Sequence, residues 1–316
     1  MKIREATEND APGIVRVLKA SLGEADLPLS EKIWNYKHRD NPFGKSLVLI
    51  AEEGGSTIGV RAFMRWEWII DGKLFKAFRA VDTATHPAHQ GKGVFKKLTM
   101  AAIESAKSHG AHFVFNTPND QSRPGYLKMG WEIVNKVNVA IKPIFSGLVK
   151  RSSNGLNYGH DLQLSGKELE IICENWNGSL AAKEKLFTPK SADYLQWRYE
   201  TNQLQKYEIV ARGDIYVAAY VKKRGKIKEL RVAECLHDGS KESVREISKI
   251  LDVLSKGFGV QVLTYAPHLI DLGIMGFRGN FGPVLTLRAL HLNPEEKNKL
   301  LNIGNWGNSI GDLELF

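Results

Sequence analysis

The sequence predicts an α/β fold with mixed sheets, arranged as two similar domains in tandem. Strand and helix patterns alternate through the first 145 residues, which is typical of an α/β domain. Short segments of the first half recur in the same order in the second half, which indicates duplication. A length of 316 residues also favours two domains. We therefore predict domains at 1–145 and 160–316, joined by a linker at 146–159 that is rich in Gly, Ser and Asn.

The first domain begins with a strand and a helix. KIREAT at the N-terminus predicts a short strand. Thr7 and Asp10 fit a capping box, and Ile14, Val15 and Leu18 then lie on one helical face.

A buried strand and a long hairpin follow. Residues 46–53 predict the buried strand. Residues 57–70 and 73–85 predict two long strands that pair across a turn at Asp71 and Gly72.

The domain closes with a helix, a strand, a short helix and final strands. Apolar residues between 94 and 105 share one helical face, and Gly110 is a candidate C-terminal cap. Residues 112–116 predict a strand, 121–131 a short helix, and 132–142 the final strands.

The evidence for duplication is a set of paired segments. NYKHRDN at 35–41 corresponds to QWRYETN at 196–202, because each precedes a strand that ends near an Ala. FVFNTPN at 113–119 corresponds to QVLTYAPH at 261–268, and Arg79 and Arg231 lie at similar distances before them. The alternative is a coincidence between two α/β domains of similar topology.

Composition excludes several classes. The chain has 43% hydrophobic residues, a net charge of +9 and two cysteines without metal-ligand spacing. The sequence contains no apolar stretch of about 20 residues, so we expect no membrane span. The charged N-terminus has no signal-peptide core. The sequence also lacks a basic block with interleaved aromatic residues, so we expect no DNA partner. We expect a cytoplasmic enzyme whose positive charge is either a solvated surface or an attraction for a phosphorylated cofactor.

The segment THPAHQGKGVFKKL at 85–98 predicts a phosphate site. Glycines before a helix allow its free amides to approach an anion, and Lys92, Lys96 and Lys97 add positive charge. The spacing is neither that of a Walker P-loop nor that of a dinucleotide fingerprint. The alternative is a simple turn.

This segment resembles motif A of the GNAT acetyltransferase superfamily, Gln/Arg-x-x-Gly-x-Gly/Ala. Gln90 and Gly93 match the motif, whereas Phe95 replaces its last small residue. The family's downstream pattern is also present in Asn119, Ser122 and Tyr126, followed by a Gly-Trp pair. The resemblance covers the first 145 residues and favours the branch with tandem GNAT-like domains.

The resemblance implies acetyl-CoA as acyl donor. The CoA pyrophosphate would lie on the amides of 91–94, and the pantetheine arm would pair with the edge of the strand at 83–85. The implied donor-binding residues are Thr83, Ala84, Thr85, Gln90, Gly91, Lys92, Gly93, Val94, Asn119 and Ser122. Asn119 is either an acceptor-site hydrogen-bonding group or a helix cap.

Acetyl transfer also needs an acid for the leaving thiolate and a path for the amine proton. Tyr126 is the candidate acid, and its alternative is an aromatic residue that packs on a short helix. Asp82 is the candidate base. Glu67, His86, His89 or water are the alternatives.

The second half lacks the glycine segment. CLHDGSKESV stands in its place, with Asp238 and Glu242 where phosphates would lie. We predict that this copy has lost CoA binding and forms a wall on the acceptor side. Trp197, Tyr199 and Tyr265 either line that wall or pack in the core.

The predicted function is an N-acetyltransferase that moves an acetyl group from acetyl-CoA to a primary amine by direct attack. The amine belongs to a small molecule, an amino sugar or a peptide, and no membrane partner is expected. Two alternatives are a Fem-type aminoacyl or peptidyl transferase that uses charged tRNA, and a non-catalytic module that binds acetyl-CoA.

Overall fold

The computed structural model describes residues 1–22, 30–144, 159–273 and 276–313. Apart from Gly159, the predicted linker at 146–159 lies outside the described residues. The chain forms two mixed sheets of seven strands each, with helices packed on them, which confirms the predicted fold class. No helix in the described part of the chain is both long and apolar enough to span a bilayer.

The first half of the chain supplies the predicted elements and one further helix, α2. Its elements are β1 (Lys2–Glu5), α1 (Ala11–Leu22), α2 (Glu31–His38), β2 (Leu47–Glu53), β3 (Ser56–Ile70), β4 (Lys73–Thr85), α3 (Val94–Ser108), β5 (Phe113–Asn116), α4 (Arg123–Lys128), β6 (Glu132–Lys136) and β7 (Val139–Pro143). Ser30 caps α2 by accepting a hydrogen bond from the Ile33 amide.

The second half has a similar order of elements. They are β8 (His160–Leu162), α5 (Gly166–Ala182), α6 (Ala192–Leu195), β9 (Glu208–Arg212), β10 (Ile215–Arg224), β11 (Ile227–His237), α7 (Lys241–Phe258), β12 (Val262–Tyr265), β13 (Phe277–Gly279), β14 (Val284–Ala289), α8 (Pro294–Leu301) and α9 (Ile310–Leu313). A π-helical turn at Gln196–Glu200 continues α6.

The two sheets share one plan. The first has the order β1-β2-β3-β4-β5-β14-β6, and the second has the order β8-β9-β10-β11-β12-β7-β13. In each sheet the sixth strand comes from the opposite half of the chain and runs antiparallel to the fifth. The predicted boundaries assign β7 to the first domain and β14 to the second, whereas each strand lies in the other sheet.

Helix α3 packs directly on the first sheet. The apolar layer between them includes Phe63, Phe78, Leu98 and Tyr126. The two elements approach closely at Gly59 of β3, where an added β-carbon would lie 2.8 Å from Val94 Cγ1. A glycine at this position therefore sets how closely the start of α3 approaches the sheet.

We predict that Gly59→Ala lowers the free energy of unfolding by about 1–3 kcal/mol, because the added methyl group displaces Val94 and Leu98. The control is Gly178→Ala in the exposed middle of α5, where a β-carbon meets nothing within 4 Å. That change should stabilise the protein by up to about 1 kcal/mol. Urea unfolding of both variants measures the difference, and a neutral Gly59→Ala would contradict the packing argument.

Candidate active site

The two central strands of the first sheet part near their ends. The parallel pairing of β4 with β5 ends at Arg79 and Phe115, although β4 continues to Thr85. In the second sheet the pairing of β11 with β12 ends at Arg231 and Thr264. The two arginines thus occupy corresponding positions at the ends of the two ladders, as their pairing in the sequence predicts.

The N-terminus of α3 carries no side-chain cap. Gly93 is its N-cap residue, and both Gly91 and Gly93 have positive φ angles of 75° and 74°. Residues 91–93 are exposed, and the first turn of the helix contains no acidic residue. Gln90 supports the loop by donating from Nε2 to the carbonyl oxygen of Thr85 at 3.2 Å. Free amides and the positive end of the helix dipole here favour an anion.

The corresponding end of α7 in the second unit is occupied by its own side chains. The Ser240 hydroxyl accepts a hydrogen bond from the Ser243 amide at 3.0 Å, and Asp238 Oδ1 accepts one from the Ser240 amide at 2.9 Å. Glu242 adds a negative charge in the first turn. The amides of Ser240 and Ser243 are therefore already hydrogen-bonded, and the acidic side chains repel a further anion.

The other predicted donor-binding residues lie at the end of β4 and before α4. Thr83 Oγ1 donates to the Val60 carbonyl oxygen at 3.3 Å, and Ala84 is buried. Asn119 Oδ1 accepts a hydrogen bond from the Ser122 amide at 2.9 Å. Asn119 therefore has the contact of a capping residue at the entry to α4.

Tyr126 lies in the core between the sheet and α3. Its ring is buried and packs edge-on against Trp131 and Phe95. Its hydroxyl oxygen accepts a hydrogen bond from Arg61 Nη1 at 2.8 Å. Phe95, the residue that departs from the family motif, is thus part of the surroundings of the candidate acid.

Asp82 contacts α2. Its φ angle of 36° is unusual for a strand residue and makes the backbone of β4 irregular at this position. Asp82 Oδ2 lies 2.5 Å from Lys37 Nζ and 2.8 Å from His38 Nε2. Burial alone would raise the pKa of this carboxyl, but the Lys37 charge and the His38 hydrogen bond hold the pKa well below its usual range. Asp82 is therefore a weak proton acceptor.

His38 completes a short hydrogen-bonded network that the sequence did not predict. Burial lowers the pKa of His38, so that the ring is neutral at pH 7. Because ionised Asp82 can only accept, the ring proton is on Nε2, and Nδ1 faces the Ser46 hydroxyl at 2.9 Å. The signal was present, because Lys37 and His38 belong to the recurring segment NYKHRDN.

The second unit has a corresponding network, in which the acidic side chain is fully buried. Tyr199 occupies the position of His38 in the recurring segment and donates to Glu234 Oε2 at 3.0 Å. Lys190 bridges Glu234 and Asp312 at 2.8 Å and 2.6 Å, and all three side chains are fully buried. Burial raises the pKa of Glu234 against the opposing Lys190 charge. The second copy therefore uses the position for an internal ion cluster, whereas Asp82 keeps 18% of its side chain exposed.

The remaining predicted residues lie apart from this network. Trp197 and Tyr265 are buried. His86 Nδ1 accepts a hydrogen bond from the Ala88 amide, and His89 pairs with Glu53.

Among the described residues, Glu67 forms no hydrogen bond or ion pair with Asp82 or Tyr126, and burial raises its pKa. The site thus brings Asp82 together with α2, and Tyr126 with Arg61 and Phe95.

The mixed sheet, the parting of its central parallel strands and the uncapped helix all lie within residues 2–136 and β14. Residues 2–134 match a family model described as an acetyltransferase (GNAT) domain. This part of the chain is therefore similar to GNAT domains, and the two mixed sheets have the fold of tandem GNAT-like domains.

Similar proteins agree with this assignment. A 65-residue segment, 21% of the chain, is 38% identical to the L-methionine sulfoximine/L-methionine sulfone acetyltransferase of Salmonella typhimurium. The segment covers 36% of that relative, so the match spans about a third of its length.

Solved structures show the likeness of fold. A GCN5-related N-acetyltransferase from Anabaena variabilis is 12% identical, with a TM-score of 0.63 over 92% of this chain and 72% of its own. The N-myristoyltransferase of Saccharomyces cerevisiae with bound myristoyl-CoA is 10% identical, with a TM-score of 0.53 over 100% and 85%. At these identities the comparison concerns the fold alone.

We predict that His38 makes stability fall as the pH drops below about 6.5. Because the pKa of His38 is lower in the folded protein, the unfolded chain takes up this proton at a higher pH than the folded chain does. Between the two pKa values, each unit of falling pH lowers the free energy of unfolding by about 1.4 kcal/mol. His38→Gln should remove this part of the slope, whereas His109→Gln on the exposed end of α3 should not. Urea unfolding at pH 7.5 and 5.5 measures both. Equal slopes in wild type and His38→Gln would contradict the assignment.

Proposed function

We propose that this protein is an acetyl-CoA-dependent N-acetyltransferase that acts on a primary amine. The observation that carries the proposal is the contrast between two corresponding helix ends. The N-terminus of α3 is exposed, glycine-capped and free of acidic residues, whereas α7 is closed by Asp238 and Ser240. One unit therefore keeps a site for a polyanionic donor, and the other has filled it.

On the donor side, the amides of 91–94 would hold the CoA pyrophosphate. Lys92, Lys96 and Lys97 are exposed and would add positive charge around it. Thr83, Ala84 and Thr85 lie beyond the last residue pair of the β4–β5 ladder, so that their backbone is available to pair with the pantetheine arm.

The reaction joins the amine nitrogen to the acetyl carbon and breaks the carbon–sulfur bond of the thioester. The products are an N-acetyl amine and CoA thiol. Tyr126 would donate its phenolic proton to the departing sulfur, and solvent would then restore that proton. The amine nitrogen loses one proton in the same turnover.

Asp82 and His38 would act on the acceptor. The low pKa of Asp82 suits a carboxylate that orients the amine through N–H···O contacts rather than one that removes its proton. The unprotonated Nδ1 of His38 is the basic atom of the network, and the Ser46 hydroxyl is the path by which a proton would reach it. In this proposal Asp82 orients the amine, whereas the sequence analysis predicted it as the base.

The acceptor is a small amine, an amino sugar or a peptide amine. The Salmonella relative adds L-methionine sulfone and L-methionine sulfoximine to the compounds to test. Thiol release from acetyl-CoA against this amine panel, with mass spectrometry of the product, tests the proposal. Calorimetric binding of acetyl-CoA without thiol release for any amine would favour a non-catalytic module.

We predict that Gly93→Asp weakens acetyl-CoA binding at least about tenfold, because a carboxylate would stand where the phosphates lie. Gly239→Asp is the matched control, since Gly239 also has positive φ, precedes α7 and has open space around it. It should leave the affinity within about twofold. Calorimetry on the full chain measures both, and an equal loss in the two variants would contradict the one-site proposal.

We predict that Tyr126→Phe lowers kcat about 10²–10⁴-fold and leaves the Kd of acetyl-CoA nearly unchanged, because only the phenolic proton is lost. The variant also removes the hydrogen bond to Arg61, so that stability should fall by about 1–3 kcal/mol. Rates are therefore compared below the melting transition. Tyr265→Phe, a buried tyrosine of the second unit, is the control. Wild-type turnover of Tyr126→Phe would make Tyr126 a packing residue.

A further inference from the structure

A buried charge lies beside the candidate acid. Arg61 of β3 is fully buried, and its guanidinium forms no ion pair with any described residue. Its Nη1 donates to the Tyr126 hydroxyl, whereas Nε and Nη2 are buried and have no hydrogen-bond partner in the described part of the chain. An arginine side chain in an apolar core is normally paired, because an isolated buried charge is costly.

Aromatic rings enclose this guanidinium. Its central carbon lies 4.9 Å from the ring centre of Phe63, 5.2 Å from that of Tyr126 and 5.7 Å from that of Phe95. Cation–π attraction offsets part of the cost of burial but provides no counter-charge. Phe95 stands where the GNAT motif has a small residue, so that the departure from the motif and the unpaired charge occur at one place.

The hydrogen bond fixes the direction of the phenol. Arginine can only donate, so the Tyr126 oxygen is the acceptor and its own proton must point elsewhere. The phenolic proton of Tyr126 is thereby not used in a hydrogen bond to any described residue.

We propose that Arg61 is a positioning residue that holds Tyr126 ready to donate its proton to the departing CoA sulfur. The inference rests on the proposed function. When the proton moves from the phenol to the sulfur, the resulting phenolate oxygen lies 2.8 Å from a guanidinium nitrogen, and the two charges attract in a water-poor environment. Solvent then returns the proton to the phenolate.

The first test is kinetic and uses the full chain. Arg61→Met should lower kcat about 10–100-fold, since a hydrogen bond to a charged group is lost, with the Kd of acetyl-CoA within about threefold of wild type. Arg61→Lys keeps a cation and should recover part of the rate. Arg65→Met is the matched control, because Arg65 lies on the same strand and stacks on Phe78 without contacting Tyr126. Its kcat should stay within about twofold.

The double variant separates positioning from support of the fold. In the Tyr126→Phe background, Arg61→Met should change kcat by less than about twofold, because residues that act as a unit are not additive. An undiminished loss in that background would overturn the inference, as would a single variant with wild-type kcat or a loss confined to acetyl-CoA affinity. Thermal melting checks that each variant is folded.

A second test does not need activity. The protein is labelled with ¹³Cζ-tyrosine for NMR. The signal of Tyr126 is identified as the one that is missing from the spectrum of Tyr126→Phe. It should shift in Arg61→Met and stay in place in Arg65→Met, since only the first change removes the hydrogen bond to the phenol. An unmoved signal would overturn the inference even if no amine is acetylated. Absence of acetyl transfer together with a shifted signal would count against the proposed function and leave the Arg61 contact established.

Discussion

The early end of the β4–β5 pairing is the constraint on which the first unit depends. Two parallel strands that separate after Arg79 and Phe115 leave backbone groups of β4 that the neighbouring strand does not satisfy. Unpaired backbone groups inside a protein are costly unless solvent or a ligand reaches them. The same separation leaves β4 free to carry the irregular backbone at Asp82 and to lead into the loop before α3.

The two units show how one fold can keep a site or close it. Both place an acidic residue three positions beyond the end of the ladder, and both supply a hydrogen-bond donor from the recurring helical segment. Asp82 remains partly exposed next to a histidine, whereas Glu234 is sealed with Lys190 and Asp312. Burial, rather than residue type, distinguishes the two positions.

The charged groups of the first unit are poor choices for stability alone. A fully buried Arg61 that has no counter-ion among the described residues, and a buried Lys37 that shares Asp82 with His38, each cost more to fold than apolar residues of similar size. Such departures from the rules of core composition are expected where a protein binds or reacts. In this unit the buried charged groups lie near the C-terminal end of β4.

Local patterns in the sequence determined most elements of the first half and the order of the duplicated segments. Alternation, turn glycines and the Gln90–Gly93 motif act within a few residues, so they can be identified without the fold. The exchange of β7 and β14 could not be predicted, because antiparallel pairing accepts any strand of suitable pattern. Only the tertiary structure brought α2 to Asp82 and Arg61 to Tyr126, since these contacts join residues 44 and 65 positions apart.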